Sequence, residues 1–221
     1  MIDRAHLQRM LEEYGFSCSG GQAAAFDRYA ALLAEWNRRI NLTAILEPEE
    51  ICVKHFLDSA LLLSAAEPEP GASLIDVGTG AGFPAVPCKI LRPDLSVTLL
   101  DSLNKRVGFL TELSRELGQD NAAVHGRAEE LGRAPEYRER FDLAAARPAI
   151  RLLGGEVEAV KKYELPMGAR RAIVLIRKIS QTPTKYPRLS AKIKKEPLGT
   201  GKTGAEKDET PRKKKMEKTG K

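Results

Sequence analysis

The stretch SLIDVGTGAGFPAVPCKI, residues 73–90, constrains this chain more than any other part of it. Leu74–Val77 reads as a short buried strand. Gly78, Gly80 and Gly82 then let the backbone turn tightly and come close to a ligand. Ala85–Leu91 continues as a helix whose first free N–H groups attract electron-rich atoms. Nineteen residues after Gly82 a second apolar run, Val97–Leu100, ends in Asp101. A carboxylate at the tip of the second parallel strand is where a ribose hydroxyl pair is gripped. The pattern is that of a nucleoside-cofactor site.

The glycine spacing narrows the cofactor. It is G-x-G-x-G, not the dinucleotide G-x-G-x-x-G, and Pro84 follows almost at once. That favours S-adenosylmethionine, which has no pyrophosphate to cradle, over a nicotinamide dinucleotide.

Around this stretch the chain alternates. Strands are expected at 73–77, 96–100, 122–125 and 141–146, with helices at 84–91 and 104–117. Such alternation means right-handed crossovers and a parallel sheet. Two helices precede it, at about 4–14 and 22–39. The second carries Phe26, Tyr29, Leu33, Trp36 and Ile40 at helical spacing, an aromatic stripe that belongs to a core. A third helix begins at Pro48, which suits a first helical turn, and runs to about Ala66. His55 and Asp58 lie three apart and can share one face of it. We therefore expect a helical cap over residues 1–66, a sheet domain over 72–198 and a basic tail over 199–221.

Charge divides the same way. From Arg177 to Lys221 there are 15 Lys/Arg against 5 Asp/Glu, so the formal +6 of the whole chain conceals an acidic body and a basic end. A basic end points to a phosphate-bearing partner, with a solvated, solubilising tail as the alternative. GTGKT in that tail is not a phosphate-binding loop, because Glu196 stands where its first glycine is required. No run of 18 apolar residues predicts a membrane span. The opening MIDRAHLQRM lacks an apolar signal core, and Cys18, Cys52 and Cys88 are scattered singly; both favour the cytoplasm. No metal site is expected.

One junction breaks the pattern. Only PAIRL lies between FDLAAAR and the LGG of Leu153–Gly155, whereas a crossover to another parallel strand needs about a dozen residues or more. The sheet is then expected to continue with an antiparallel pair, Glu156–Lys162 and Arg171–Lys178, joined by ELPMGA.

Taken together, WNRRINLT, KHFLDS (Lys54–Ser59), DVGTGAGFP (Asp76–Pro84), DSLNKR (Asp101–Arg106), RAE (Arg127–Glu129), the AAR ending at Arg147, and IRK…TPTKYPR (Ile176–Arg188) closely resemble the RsmG, or GidB, family. The resemblance covers about residues 1–198. It implies a class I S-adenosylmethionine-dependent methyltransferase fold: Rossmann-like, with a parallel sheet, an antiparallel final strand and an N-terminal helical cap. It implies methylation of N7 of guanine 527 in 16S ribosomal RNA, acting on the small subunit or an assembly intermediate. It also implies that Gly78, Phe83, Ala128, Glu129 and Arg147 line the cofactor pocket, with Asp101 at the ribose; Gly80 and Gly82 join them through the loop. We expect a monomer.

The resemblance also implies about forty more residues after the position of Arg147, supplying a fifth strand, its helix and the start of the next helix. Losing a central strand would expose core faces on its neighbours. That favours a stretch lost from the written sequence over a polypeptide truly shortened.

Guanine N7 carries a lone pair and no proton, so its attack on a sulfonium methyl needs no general base; orientation can carry the catalysis. The sequence accordingly offers no nucleophile–base constellation, and the cysteines read as small core residues. Phe83, Arg147 and the His55–Asp58 region are candidate walls for the target base. Lys105, Arg106, Arg177, Lys178, Lys185 and Arg188 are expected to hold RNA phosphates, against the alternative of a solvated charged face. Two other readings stay open: a small-molecule or protein methyltransferase on the same fold, and a non-catalytic RNA-binding assembly protein.

Overall fold

The computed structural model describes residues 1–146 and 155–178. Arg147, Lys185, Arg188 and the tail lie outside the described residues, and Lys178 is described in its backbone alone.

Four strands form one parallel sheet: β1 (Ser73–Val77), β2 (Ser96–Asp101), β3 (Ala122–His125) and β4 (Leu143–Ala145). Their order is β3-β2-β1-β4. The chain therefore builds outward from β1 through β2 to β3, then crosses to the other side of β1. Ligands of open α/β sheets bind beyond the carboxyl ends of the strands at such a reversal. Leu74 and Leu99 are fully buried, as expected of strands covered on both faces.

The helices cover the sheet and share its core. α1 (Arg4–Glu13) starts at Asp3, whose carboxylate accepts from the His6 N–H. α2 (Gly20–Asn37) starts at Ser19 with a reciprocal capping box to Gln22. α3 (Pro48–Ile51), a π-helical turn (Cys52–Leu57) and α4 (Asp58–Ala66) run on as one rod. The expected third helix is thus present, with a π turn in its middle. α5 (Ala85–Leu91) and α6 (Asn104–Glu116) are the crossovers. The aromatic stripe of α2 is core: Phe26 meets Phe56 with ring centroids 4.7 Å apart, and Trp36 meets Phe109 at 5.7 Å.

After β4 the expectation of a single sheet needs correcting. β5 (Gly155–Glu164) and β6 (Arg170–Lys178) do pair antiparallel, but as a two-stranded sheet of their own. Only nine residues separate Ala145 from Gly155, too few for a crossover that would return the chain to the parallel sheet. The hairpin instead docks on the helices. Lys161 Nζ donates to the Ser64 carbonyl at 3.0 Å, Tyr14 donates to the Glu164 carbonyl at 3.3 Å, and Leu165 at the turn is buried. Its outward face carries Val157, Val160, Val174 and Ile176, all exposed.

Candidate functional site

The loop between β1 and α5 sits where the sheet reverses. The Gly78 and Thr79 N–H groups both donate to the Leu100 carbonyl, at 2.8 and 3.2 Å, which clamps the loop to the end of β2. Gly78 and Gly80 have φ of +75° and +63°, conformations that side chains disfavour. A Cβ at Gly78 would meet nothing within 4 Å, and one at Gly80 only the Gly78 carbonyl oxygen at 4.0 Å. Open space therefore lies against the backbone here.

Gly82 differs. It is buried, and its Cβ would come within 2.8 Å of the Tyr29 hydroxyl and 2.9 Å of Val86. Internal packing accounts for that glycine.

Two carboxylates hold the loop from below. Asp76, buried in β1, accepts from the Thr79 hydroxyl at 2.7 Å and the Ala85 N–H at 3.3 Å. Burial pushes its carboxyl up to about 7 despite those two donors. Asp101, 2% exposed at the end of β2, accepts from the Gly80 N–H at 3.0 Å on one oxygen and from the Leu103 N–H at 2.9 Å on the other. Arg106 Nη1 adds a longer contact of 3.4 Å to the same oxygen as Gly80.

Ala128 and Glu129 open α7 (Ala128–Leu131), the short helix after β3, and both are half-buried. Gly126 between them and β3 donates to the Asp101 carbonyl at 3.1 Å, so this turn abuts the end of β2. Glu129 lies 3.6 Å from Arg127. The structure thus brings Gly78, Gly80, Asp101 and the Ala128 turn to one end of the sheet.

Phe83 forms the centre of a ring stack. His55 lies on it with centroids 4.2 Å apart, and Tyr29 stacks at 5.3 Å. The Tyr29 hydroxyl donates to the Ala81 carbonyl at 2.5 Å, fastening the helical rods to the loop. The peptide between Phe83 and Pro84 is cis. Tyr29 was legible as core but not as a loop anchor, since helical spacing alone cannot say which buried hydroxyl finds a loop carbonyl. Thr43 is likewise new: its Oγ1 shares a 3.0 Å hydrogen bond with His55 Nε2.

His55 and Asp58 part company. Burial lowers the His55 pKa, keeping the ring neutral against Phe83 and Thr43. Asp58 instead accepts from Arg171 Nε on β6 at 2.8 Å. Of the expected basic set, Lys105 is exposed beside Arg106 on α6, whereas Arg177 sits on β6 and pairs with Glu158. The cysteines are buried, and burial pushes the thiols of Cys18 and Cys52 up to about 11 and about 12, the opposite of an activated nucleophile.

The residues fit a nucleoside ligand. Asp101 offers a buried, acceptor-only carboxylate to a pair of hydroxyl donors, and the open backbone at Gly78 and Gly80 gives room for close approach. Among the described residues no group of three or more His, Cys, Asp or Glu is placed to hold a metal ion, and no helix is long and apolar enough to cross a membrane.

Comparison with known proteins finds relatives by sequence and more distant overlaps among solved structures. The family model for GidB, rRNA small subunit methyltransferase G, matches residues 22–198. The ribosomal RNA small subunit methyltransferase G of Desulforamulus reducens is 39% identical over 232 residues, covering 87% of this chain and 97% of that one. Its counterpart in Streptococcus pyogenes is 41% identical over 230 residues, covering 86% and 97%. Because 87% of 221 residues is about 192, about 40 of those 232 positions have no residue of this chain opposite them. Among solved structures, a protein-L-isoaspartate O-methyltransferase overlaps with a TM-score of 0.45 at 15% identity, covering 80% of this chain and 60% of that one. TrmN from Thermus thermophilus overlaps with a TM-score of 0.44 at 17% identity, covering 56% and 48%.

Proposed function

The chain belongs to the GidB family of small-subunit ribosomal RNA methyltransferases, and on that footing we propose that it methylates N7 of guanine 527 in 16S ribosomal RNA, using S-adenosylmethionine. The observation that carries the cofactor half is Asp101: a buried carboxylate at the tip of β2, facing the Gly80 N–H under an open glycine loop. Asp101 takes the ribose hydroxyls, Gly78 and Gly80 admit the ligand against backbone, and Ala128 and Glu129 border the adenine. Gly82 contributes by letting Tyr29 and Val86 close beneath the loop.

When bound, the cofactor supplies an electrophilic methyl group on a sulfonium. The chain's own task is to hold guanine N7 in line with it and to keep water out. The N7 lone pair is free at neutral pH, so no residue has to remove a proton. The neutral His55 ring rests one face on Phe83, which leaves its other face as a wall for a planar base turned out of the RNA. Arg147, outside the described residues, is assigned from the family resemblance as the remaining wall or a partner for the cofactor's polar end.

Lys105 and Arg106 on α6, with Arg177, Lys178, Lys185 and Arg188 further along, neutralise RNA phosphates. The substrate is the rRNA within the small subunit or an assembly intermediate, met by a monomer in the cytoplasm. We place the about 40 unmatched positions of the relatives between β4 and β5, where nine residues cannot make a crossover.

The test is direct. Purified protein, S-adenosylmethionine and small subunits lacking the modification should give strand scission at guanosine 527 after borohydride and aniline treatment. A protein that binds the cofactor and leaves that guanosine unmodified overturns the substrate assignment.

A further inference from the structure

The corner between β2 and α6 holds a contact that the cofactor and the RNA would each disturb. Asp101 Oδ2 accepts from both the Gly80 N–H and Arg106 Nη1. A carboxylate oxygen has two lone-pair directions. A ribose hydroxyl donating to that oxygen therefore competes with Arg106, the weaker of the two occupants at 3.4 Å.

Arg106 is loosely held in other respects. Its Nε is buried and has no hydrogen-bond partner, so the pose leaves one donor unsatisfied. It stands in the first turn of α6 beside Lys105, with no acidic residue in that turn, and a helix N-terminus repels cations. About a third of its side chain already reaches solvent. Asp101 is thus what keeps the guanidinium folded inward.

We propose that Arg106 couples cofactor to RNA: the ribose hydroxyls displace the guanidinium from Asp101 Oδ2, and the released guanidinium binds an RNA phosphate at the mouth of the site. This inference rests on the cofactor and RNA assignments above. Cofactor and RNA then tighten each other's binding by the same factor, because coupling between two binding equilibria is reciprocal. The enzyme engages RNA most firmly when a methyl donor or its product occupies the site.

The experiment uses the full chain, S-adenosylhomocysteine, which permits no turnover, and a hairpin transcript carrying the guanosine 527 loop. RNA affinity is read by fluorescence anisotropy and nucleoside affinity by calorimetry. In the wild type, saturating S-adenosylhomocysteine should tighten RNA binding by about fivefold or more, the lower end of ordinary coupling. Arg106→Gln should abolish that gain while binding S-adenosylhomocysteine as well as, or better than, the wild type. The salt slope of the nucleoside-bound complex should fall by about one on that substitution. Equal RNA affinity with and without S-adenosylhomocysteine in the wild type overturns the coupling. So does a gain that survives in Arg106→Gln. Failure of S-adenosylhomocysteine to bind at all overturns the cofactor assignment, and the coupling with it; intact nucleoside binding with uncoupled RNA overturns the coupling alone.

Discussion

The His55 ring lies flat on the Phe83 ring, with centroids 4.2 Å apart and planes 13° from parallel. The contact joins the middle of the third helical rod to the residue that leaves the glycine loop. It falls in the π-helical turn Cys52–Leu57, the one π-helical stretch among the described residues. Such turns re-aim side chains and recur at functional sites. Here the turn presents His55 to Phe83 on one side and to Thr43 on the other.

Burial holds the His55 pKa below its ordinary 6.5. The folded state therefore binds fewer protons at this site than the unfolded chain. Stability from His55 is complete above 6.5 and is lost as pH falls from there through the lowered folded value. Urea unfolding of wild type and His55→Gln between pH 5 and 8 should show the wild type losing ground to the variant on the acidic side. Parallel curves across that range would refute the buried, neutral ring.

Asp76 carries the opposite sign. Its carboxyl is raised from 3.8 to about 7 by burial, so the folded state holds a proton that the unfolded chain has released. Its contribution is complete below 3.8 and is lost as pH rises through about 7, by at most about 1.4 kcal/mol for each pH unit in between. Asp76→Asn should flatten this part of the profile and gain on the wild type at pH 8, provided its amide oxygen still accepts from Thr79. A variant that loses stability equally at every pH would show that the carboxyl titrates normally.

Asp101 gives the cofactor test. Asp101→Ala removes the acceptor for both ribose hydroxyls, and hydrogen bonds to a charged group contribute about 1.5–3 kcal/mol each. Calorimetry should find S-adenosylhomocysteine binding weakened by about tenfold or more, since 1.4 kcal/mol is a factor of ten. The same side chain braces the Gly80 and Leu103 N–H groups, so some melting temperature will be lost as well. Asp101→Asn preserves the shape and isolates the charge; it should fall between the two. Unchanged affinity in the alanine variant would sink the assignment.

Much of this architecture is legible in the sequence because β1, β2 and the glycine loop are local. An apolar run, positive-φ glycines and a terminal carboxylate fall within thirty residues and need no distant partner to be read. The destination of Asp58 is not legible in that way. Its spacing from His55 suggests a pair, yet its partner Arg171 lies 113 residues away, on a hairpin whose docking no local pattern encodes. Gly82 teaches the same lesson from within the motif. Its glycine answers to Tyr29 on α2, not to a ligand, and only the packed core reveals that. The separate β5–β6 sheet is not legible: the sequence pattern suggests one continuous sheet, and only the short step of nine residues, too few for a crossover, marks the place where that expectation fails.

The Asp58–Arg171 bond fastens the hairpin to α4, and it is partly exposed on both sides. Such pairs contribute about 1 kcal/mol or less. Asp58→Ala should leave S-adenosylhomocysteine affinity unchanged and speed proteolysis within β5 and β6. A tenfold loss of nucleoside affinity would return Asp58 to the pocket and contradict the structural role given to it here.

The step from Ala145 to Gly155 carries the last prediction. The relatives hold about 40 positions that this chain does not match, and nine residues here stand where a parallel strand and its helix need many more. The parallel sheet has no described strand beyond β4, and the hairpin beside it turns Val157, Val160, Val174 and Ile176 outward. A missing strand and helix would account for both features. We therefore expect the intact mass of the purified protein to exceed 24.3 kDa by several kilodaltons, with the extra residues mapping by peptide sequencing between β4 and β5. A mass of 24.3 kDa would establish a truly shortened polypeptide instead. Such a chain would leave a strand edge and an apolar hairpin face in water, both of which recruit other copies. Light scattering would then find self-association that charged substitutions at Val160 and Val174 relieve.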